Sequence, residues 1–174
     1  MSCRKVALLS GAMALALVSS AAGSDFGRPA TPNEIALWDI DVRPDGKGLP
    51  QGSGTVVQGK EVFAENCAAC HGDNGVGGIK DRLVGGQGSL ASAMPVKTVG
   101  SFWPYATTLF DYIRRAMPWQ QPRSLTNDEV YALTAYILSL NKVIDDNTTL
   151  DAATLAKIKM PNRDGFIVRF PDRI

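Results

Sequence analysis

Three cysteines and one histidine are all that 174 residues offer of the two residue types that most often hold metals. Two of those cysteines and the histidine stand together as Cys67-Ala68-Ala69-Cys70-His71. On a helical turn, thiols at this spacing project to neighbouring points, and the next residue adds an imidazole. Four chemistries compete for the pattern. A structural zinc site needs four ligands, and with Cys3 in a segment that reads as a leader the chain is one short. A thioredoxin-like pair follows a strand in a βαβ pattern, which the sequence lacks. A plain disulfide gives the long glycine-rich stretch after it, residues 72–101, no purpose. Thioether bonds to the two vinyl groups of one porphyrin, with His71 on the iron, use every member of the motif. The spacing therefore points to haem c held covalently by Cys67 and Cys70. A single motif implies one haem.

His71 is the only histidine, so bis-histidine ligation within one chain is excluded. Methionine is the usual sixth ligand of an electron carrier. Outside the leader the chain has Met94, Met117 and Met160. Met117 ends a helix directly before Pro118, a firm support for a ligand. Met94 also precedes a proline but lies in the glycine-rich loop, and Met160 lies in the tail. Position favours Met117, with Met94, Met160 and an open sixth site as the alternatives. An open site would make a haem enzyme, but no second histidine exists to serve as its distal base. Trp103 and Tyr105 could line the haem and reach a propionate, or pack as core aromatics. Arg82, Lys97, Arg114 and Arg115 are propionate partners or solvated charges. Gly75, Gly77 and Gly78 lack the preceding strand of a phosphate-binding loop.

These side chains need helices to position them. Thr31-Pro32-Asn33-Glu34 is a capping box that starts a short helix through about Leu37. Residues 38–42 look extended and 43–54 are turn material. Residues 56–69 read as a helix with Gly59, Val62, Phe63 and Cys67 near one face. A loop as long as 72–101 is normally disordered or wraps something; here a haem supplies the something. Residues 107–116 form a second helix, with Leu109, Ile113 and Ala116 inward and Arg114 and Arg115 in the last turn. A second capping box, Thr126-Asn127-Asp128-Glu129, opens a third helix with Val130, Leu133, Ile137 and Leu140 at helical spacing. A short helix near 152–157 is expected in the tail.

The first 22 residues read as an export signal. Arg4 and Lys5 precede an apolar run from Val6 to Val18, then Ser20, Ala21 and Ala22 offer small residues for cleavage. The run is too short for a comfortable membrane span. Periplasmic location and no integral span after cleavage are the expectations. Of 18 Lys and Arg, losing Arg4 and Lys5 leaves 16 against 17 acids, a formal charge of −1. No basic stripe remains for nucleic acid.

Gly59 and Phe63 ahead of the haem motif, the Met117-Pro118 pair and a last helix with Leu133, Tyr136 and Ile137 resemble a class I cytochrome c. The resemblance implies an all-α fold of three main helices around one haem, spanning residues 56–141. An N-terminal arm (23–55) and a C-terminal tail packed on the domain (142–174) flank it. The first and last helices would cross closely at Gly59, with Tyr136 covering it. Longer strings have a narrower likeness. Gly27-Arg28-Pro29-Ala30-Thr31-Pro32, the segments 40–46 and 98–101, the run from Trp103 to Pro118 and Met160-Pro161-Asn162-Arg163-Asp164-Gly165-Phe166 resemble the cytochrome subunits of molybdenum-containing sulfite and sulfane dehydrogenases. That resemblance implies Met117 as axial ligand. Electrons would come from a sulfur compound oxidised at a molybdenum subunit and go to a respiratory cytochrome or oxidase. The chain would be the electron-transfer subunit of an oxidoreductase complex, without catalytic chemistry of its own. The alternative is a diffusible periplasmic cytochrome with no sulfur link. One departure stands out: Asp81 occupies the place of a loop proline whose carbonyl accepts the axial histidine's hydrogen bond. Asp81 still has a backbone carbonyl to offer.

Overall fold

Several of the helices begin at a side-chain cap. In the computed structural model, which describes residues 27–167, Thr31 caps α1 (Pro32–Ala36), Thr55 caps α2 (Val56–Asn66) and Thr126 caps α5 (Asn127–Leu140). All three caps are reciprocal boxes, closed by Glu34, Gln58 and Glu129. Each such cap is worth ~1 kcal/mol by satisfying first-turn amides that the helix leaves open. Between α2 and α5 lie α3 (Ala68–His71) and α4 (Ala106–Ala116); α6 (Ala152–Leu155) follows. The export-signal reading and Cys3 lie outside the described residues.

The chain divides into two compact units, residues 1–39 and 40–174. In the described part of the first, Arg28 pairs with Glu34, whose carboxylate also accepts from the Thr31 amide. That ion pair, with the Thr31 bonds behind it, holds the Glu34 carboxyl down to about 2. Ile35, Leu37 and Trp38 are exposed.

The second unit is built around α5. Every residue from Val130 to Ser139 is buried. The spacing of Val130, Leu133, Ile137 and Leu140 predicts one inward stripe; instead the helix is enclosed all round, as an apolar helix with neighbours on each side must be. Those neighbours are α2, α4 and a small antiparallel pair, β1 (Ser53–Thr55) with β2 (Thr149–Asp151), in which Gly54 faces Leu150. No periodicity announces strands this short. At the α2–α5 crossing, a Cβ on Gly59 would overlap the Ala132 carbonyl and stand 2.8 Å from the Tyr136 Cβ. The missing side chain lets the two backbones meet. Phe63 and Tyr136 close edge-to-face below it, ring centroids 5.3 Å apart.

The division at Asp39 falls within the segment 23–55 expected as an N-terminal arm. Residues 40–55 are tied to the helices by their own backbone. The Val42 amide donates to Asp111, the Ile40 carbonyl accepts from Arg114, and the Pro50 carbonyl accepts from the Tyr131 hydroxyl at 2.8 Å. Residues 38–42 form no strand. In the tail, Leu150, Leu155 and Met160 join the core.

A candidate haem cleft

The helix expected over 56–69 stops at Asn66. Cys67, with φ −126° and ψ −37°, is a hinge, after which α3 makes a single turn. The break puts Cys67 before that turn and Cys70 and His71 at its end; the Cys70 and His71 amides both donate to the Cys67 carbonyl. Gly72 ends the turn at φ +79°, a region that disfavours a side chain. The loop then folds back on the motif. Gly77 N–H donates to the His71 carbonyl and Lys80 N–H to that of Cys70. This return places the Asp81 carbonyl 2.8 Å from His71 Nδ1, which donates to it. The bond fixes the tautomer and ring orientation and leaves Nε2 as the nitrogen free to bind a metal.

On the other side, α4 ends because residue 117 precedes a proline. Met117 turns extended, with φ −122° and ψ 147°. Its side chain faces the same cleft as Cys67, Cys70 and His71, a space of about 480 Å³. Leu109 and Ile113 of α4, Leu133 and Ile137 of α5, Trp103 and Val99 supply apolar walls. Trp103 meets Tyr112 edge-on at 5.8 Å.

Not every candidate arrives there. Trp103, Arg82 and Lys97 line the cleft. Tyr105 does not: it bridges to Lys159 and lies under the Arg163 guanidinium, 4.1 Å from its ring centre. Arg114 donates to the Ile40 carbonyl and Arg115 pairs with Asp111, so neither is a cleft residue. Met160 is 1% exposed and packed in the core, while Met94 is 83% exposed. Sequence reading missed Leu83, Trp119 and Leu125 on the walls; only the place of Trp119 directly after Met117-Pro118 could have marked it.

The thiols carry a further clue. Burial pushes an unmodified Cys67 thiol up to about 11, and Cys70 beside it adds to the rise. Reactive cysteines are shifted the opposite way. Among the described residues no three His, Cys, Asp or Glu side chains converge to hold a metal ion. A zinc site and a thiol redox pair both fit poorly. An apolar cleft offering two cysteines, an oriented imidazole and a thioether fits a covalently held haem.

The cytochrome c family model matches residues 56–141. A chain in the crystal structure of the sulfane dehydrogenase SoxCD from Paracoccus pantotrophus is 43% identical, with a TM-score of 0.79. The match covers 86% of this chain and 74% of that one. The protein belongs to the cytochrome c family. Its fold is the class I arrangement, and haem c is the family's cofactor. Two curated relatives, both named thiosulfate dehydrogenase, from Stutzerimonas stutzeri and Psychrobacter arcticus, are each 28% identical to this cytochrome. The matches cover 67% and 63% of this chain. This cytochrome spans only 37% and 35% of their length. Among the described residues no helix is long and apolar enough to cross a membrane.

Proposed function

We propose that this protein is an exported, periplasmic mono-haem cytochrome. It accepts electrons from a molybdenum-containing sulfite or sulfane dehydrogenase subunit and passes them to the respiratory chain. The observation that carries the proposal is the 43% identity over 74% of a chain of a sulfane dehydrogenase, joined to a cleft suited to one haem. The name of the two curated relatives also supports a sulfur compound as the upstream reductant.

In this reading Cys67 and Cys70 would hold the haem through thioethers, and His71 Nε2 and the Met117 sulfur would bind its iron. When bound, the haem supplies reversible one-electron chemistry at iron. The protein does the rest. The Asp81 carbonyl keeps the proton on His71 Nδ1 and the ring in place. Leu109, Ile113, Leu133 and Ile137 exclude water, and a methionine ligand raises the potential. If His71 and Met117 held the iron in both oxidation states, little would have to reorganise.

Purification from the native periplasm with metal analysis tests the partner. Molybdenum co-eluting with the haem is expected. A haem protein that elutes alone and accepts no electrons from any such dehydrogenase of the same cell is the result against it.

A further inference from the structure

The Asp81 carbonyl is held from a distance. Asp81 itself is exposed and sits in a loop without secondary structure. Two residues on, the loop meets a fixed point. The Leu83 carbonyl accepts from Asn141 Nδ2 at 3.1 Å. The Gly85 amide and the Gln87 side chain both donate to Asn141 Oδ1, and Gln87 also donates to the Asn141 carbonyl. Asn141 is the C-terminal cap of α5, 3% exposed, and its Nδ2 is shared with the Ile137 carbonyl at 2.9 Å. Gly100 lies against it so closely that a Cβ there would overlap Asn141 Oδ1. One buried amide thus bonds the end of the central helix to three positions of the loop, using both of its donors and its acceptor.

We propose that Asn141 is a positioning residue for the axial histidine: through Leu83 it sets where the Asp81 carbonyl stands, and so how firmly His71 Nδ1 is hydrogen-bonded. The inference rests on the reading that His71 ligates haem iron. A histidine whose second nitrogen donates to a carbonyl is a more basic ligand, which favours the oxidised metal. Loosening the loop weakens that bond and raises the potential. A helix cap with no such role would change stability alone.

The test uses the haem-loaded protein in its reduced state. Exchange of the His71 Nδ1 proton is followed by NMR, with the midpoint potential measured alongside. Asn141→Ala should speed that exchange about tenfold, as expected for one lost hydrogen bond, and move the potential upward. Ser139→Ala removes the Ser139–Asp146 bond at the same helix end and should leave both readouts unchanged. Gln87→Ala, at an exposed residue, should speed the exchange by a smaller factor and serves if Asn141→Ala does not fold. Unaltered exchange and potential in a folded Asn141→Ala protein, or in Gln87→Ala where the former is unfolded, would overturn the positioning role. A wild-type protein with no covalent haem would overturn the ligation reading and this inference with it.

Discussion

At the scale of single residues, chemistry was legible wherever the choice of residue type was small. One histidine beside two cysteines left few interpretations, and the three-dimensional site brings all of them to one cleft with Met117. Met117→Ala should abolish the near-infrared sulfur-to-iron band of the oxidised protein and lower its potential. Met94→Ala should keep both, since that side chain is exposed, and so should Met160→Ala. The latter should pay instead in stability, about 2–5 kcal/mol for truncating a core methionine, measured by denaturant unfolding. A spectral loss in Met94→Ala or Met160→Ala would move the ligand. Roles that depend on distance rather than type were not legible. Tyr105, Arg114 and Arg115 have the right chemistry for a propionate, but their partners are Arg163, Ile40 and Asp111. Asn141 was invisible for the same reason, because its loop partners lie more than fifty residues back in the chain.

At the scale of elements, periodicity and caps located α1, α4 and α5 to within a residue or so, because those signals are local. The Thr55–Gln58 box, the hinge at Cys67 and the β1–β2 pair went unread. The strands are three residues long and gain their order from α5, not from their own pattern. The close crossing at Gly59 was legible only through the resemblance to class I cytochromes c, and the absent side chain is what permits it. Gly59→Ala should therefore destabilise the protein by about 1–3 kcal/mol through overpacking against Ala132 and Tyr136. Helix propensity alone would have it gain up to about 1 kcal/mol. A rise in denaturation midpoint would show that α2 can shift freely on α5. Tyr131 gives a pH signature for the same helix. Burial first, then the charge of Asp151, pushes its phenol up to about 12, against about 10 in an unfolded chain. Between those values the unfolded state loses the proton first. The contribution is present in full below pH 10 and is lost as pH rises towards 12. Tyr131→Phe should flatten the fall in stability across that window, while costing ~1 kcal/mol at neutral pH for the bond to Pro50. An unchanged alkaline slope would assign the fall to other groups.

At the scale of the whole molecule, the candidate cleft needs only α2 to α5, yet the likeness to the sulfane dehydrogenase chain covers 86% of this protein. Residues 23–55, expected as an N-terminal arm, lie outside those helices. The division at Asp39 separates two roles within that stretch. Residues 40–55 carry Val42 into the core and supply β1, so removing them should destabilise the helices themselves. Residues 27–39 hold a capped and ion-paired turn that exposes Ile35, Leu37 and Trp38. Large apolar side chains on a preorganised segment lose little entropy on binding, so they suit a partner's surface. Removing residues 24–39 should therefore slow reduction of the haem by reduced sulfur substrate plus the molybdenum subunit by about tenfold, equivalent to ~1.4 kcal/mol of docking. The potential should stay where it is, because every cleft residue lies beyond Asn66 or at it. The check is stopped-flow reduction at several concentrations of the catalytic subunit, with a potentiometric titration of the same trimmed protein. A slower bimolecular phase at constant potential assigns the segment to docking. An unchanged rate removes that role, and a shifted potential would mean that the trimmed residues shape the cleft itself.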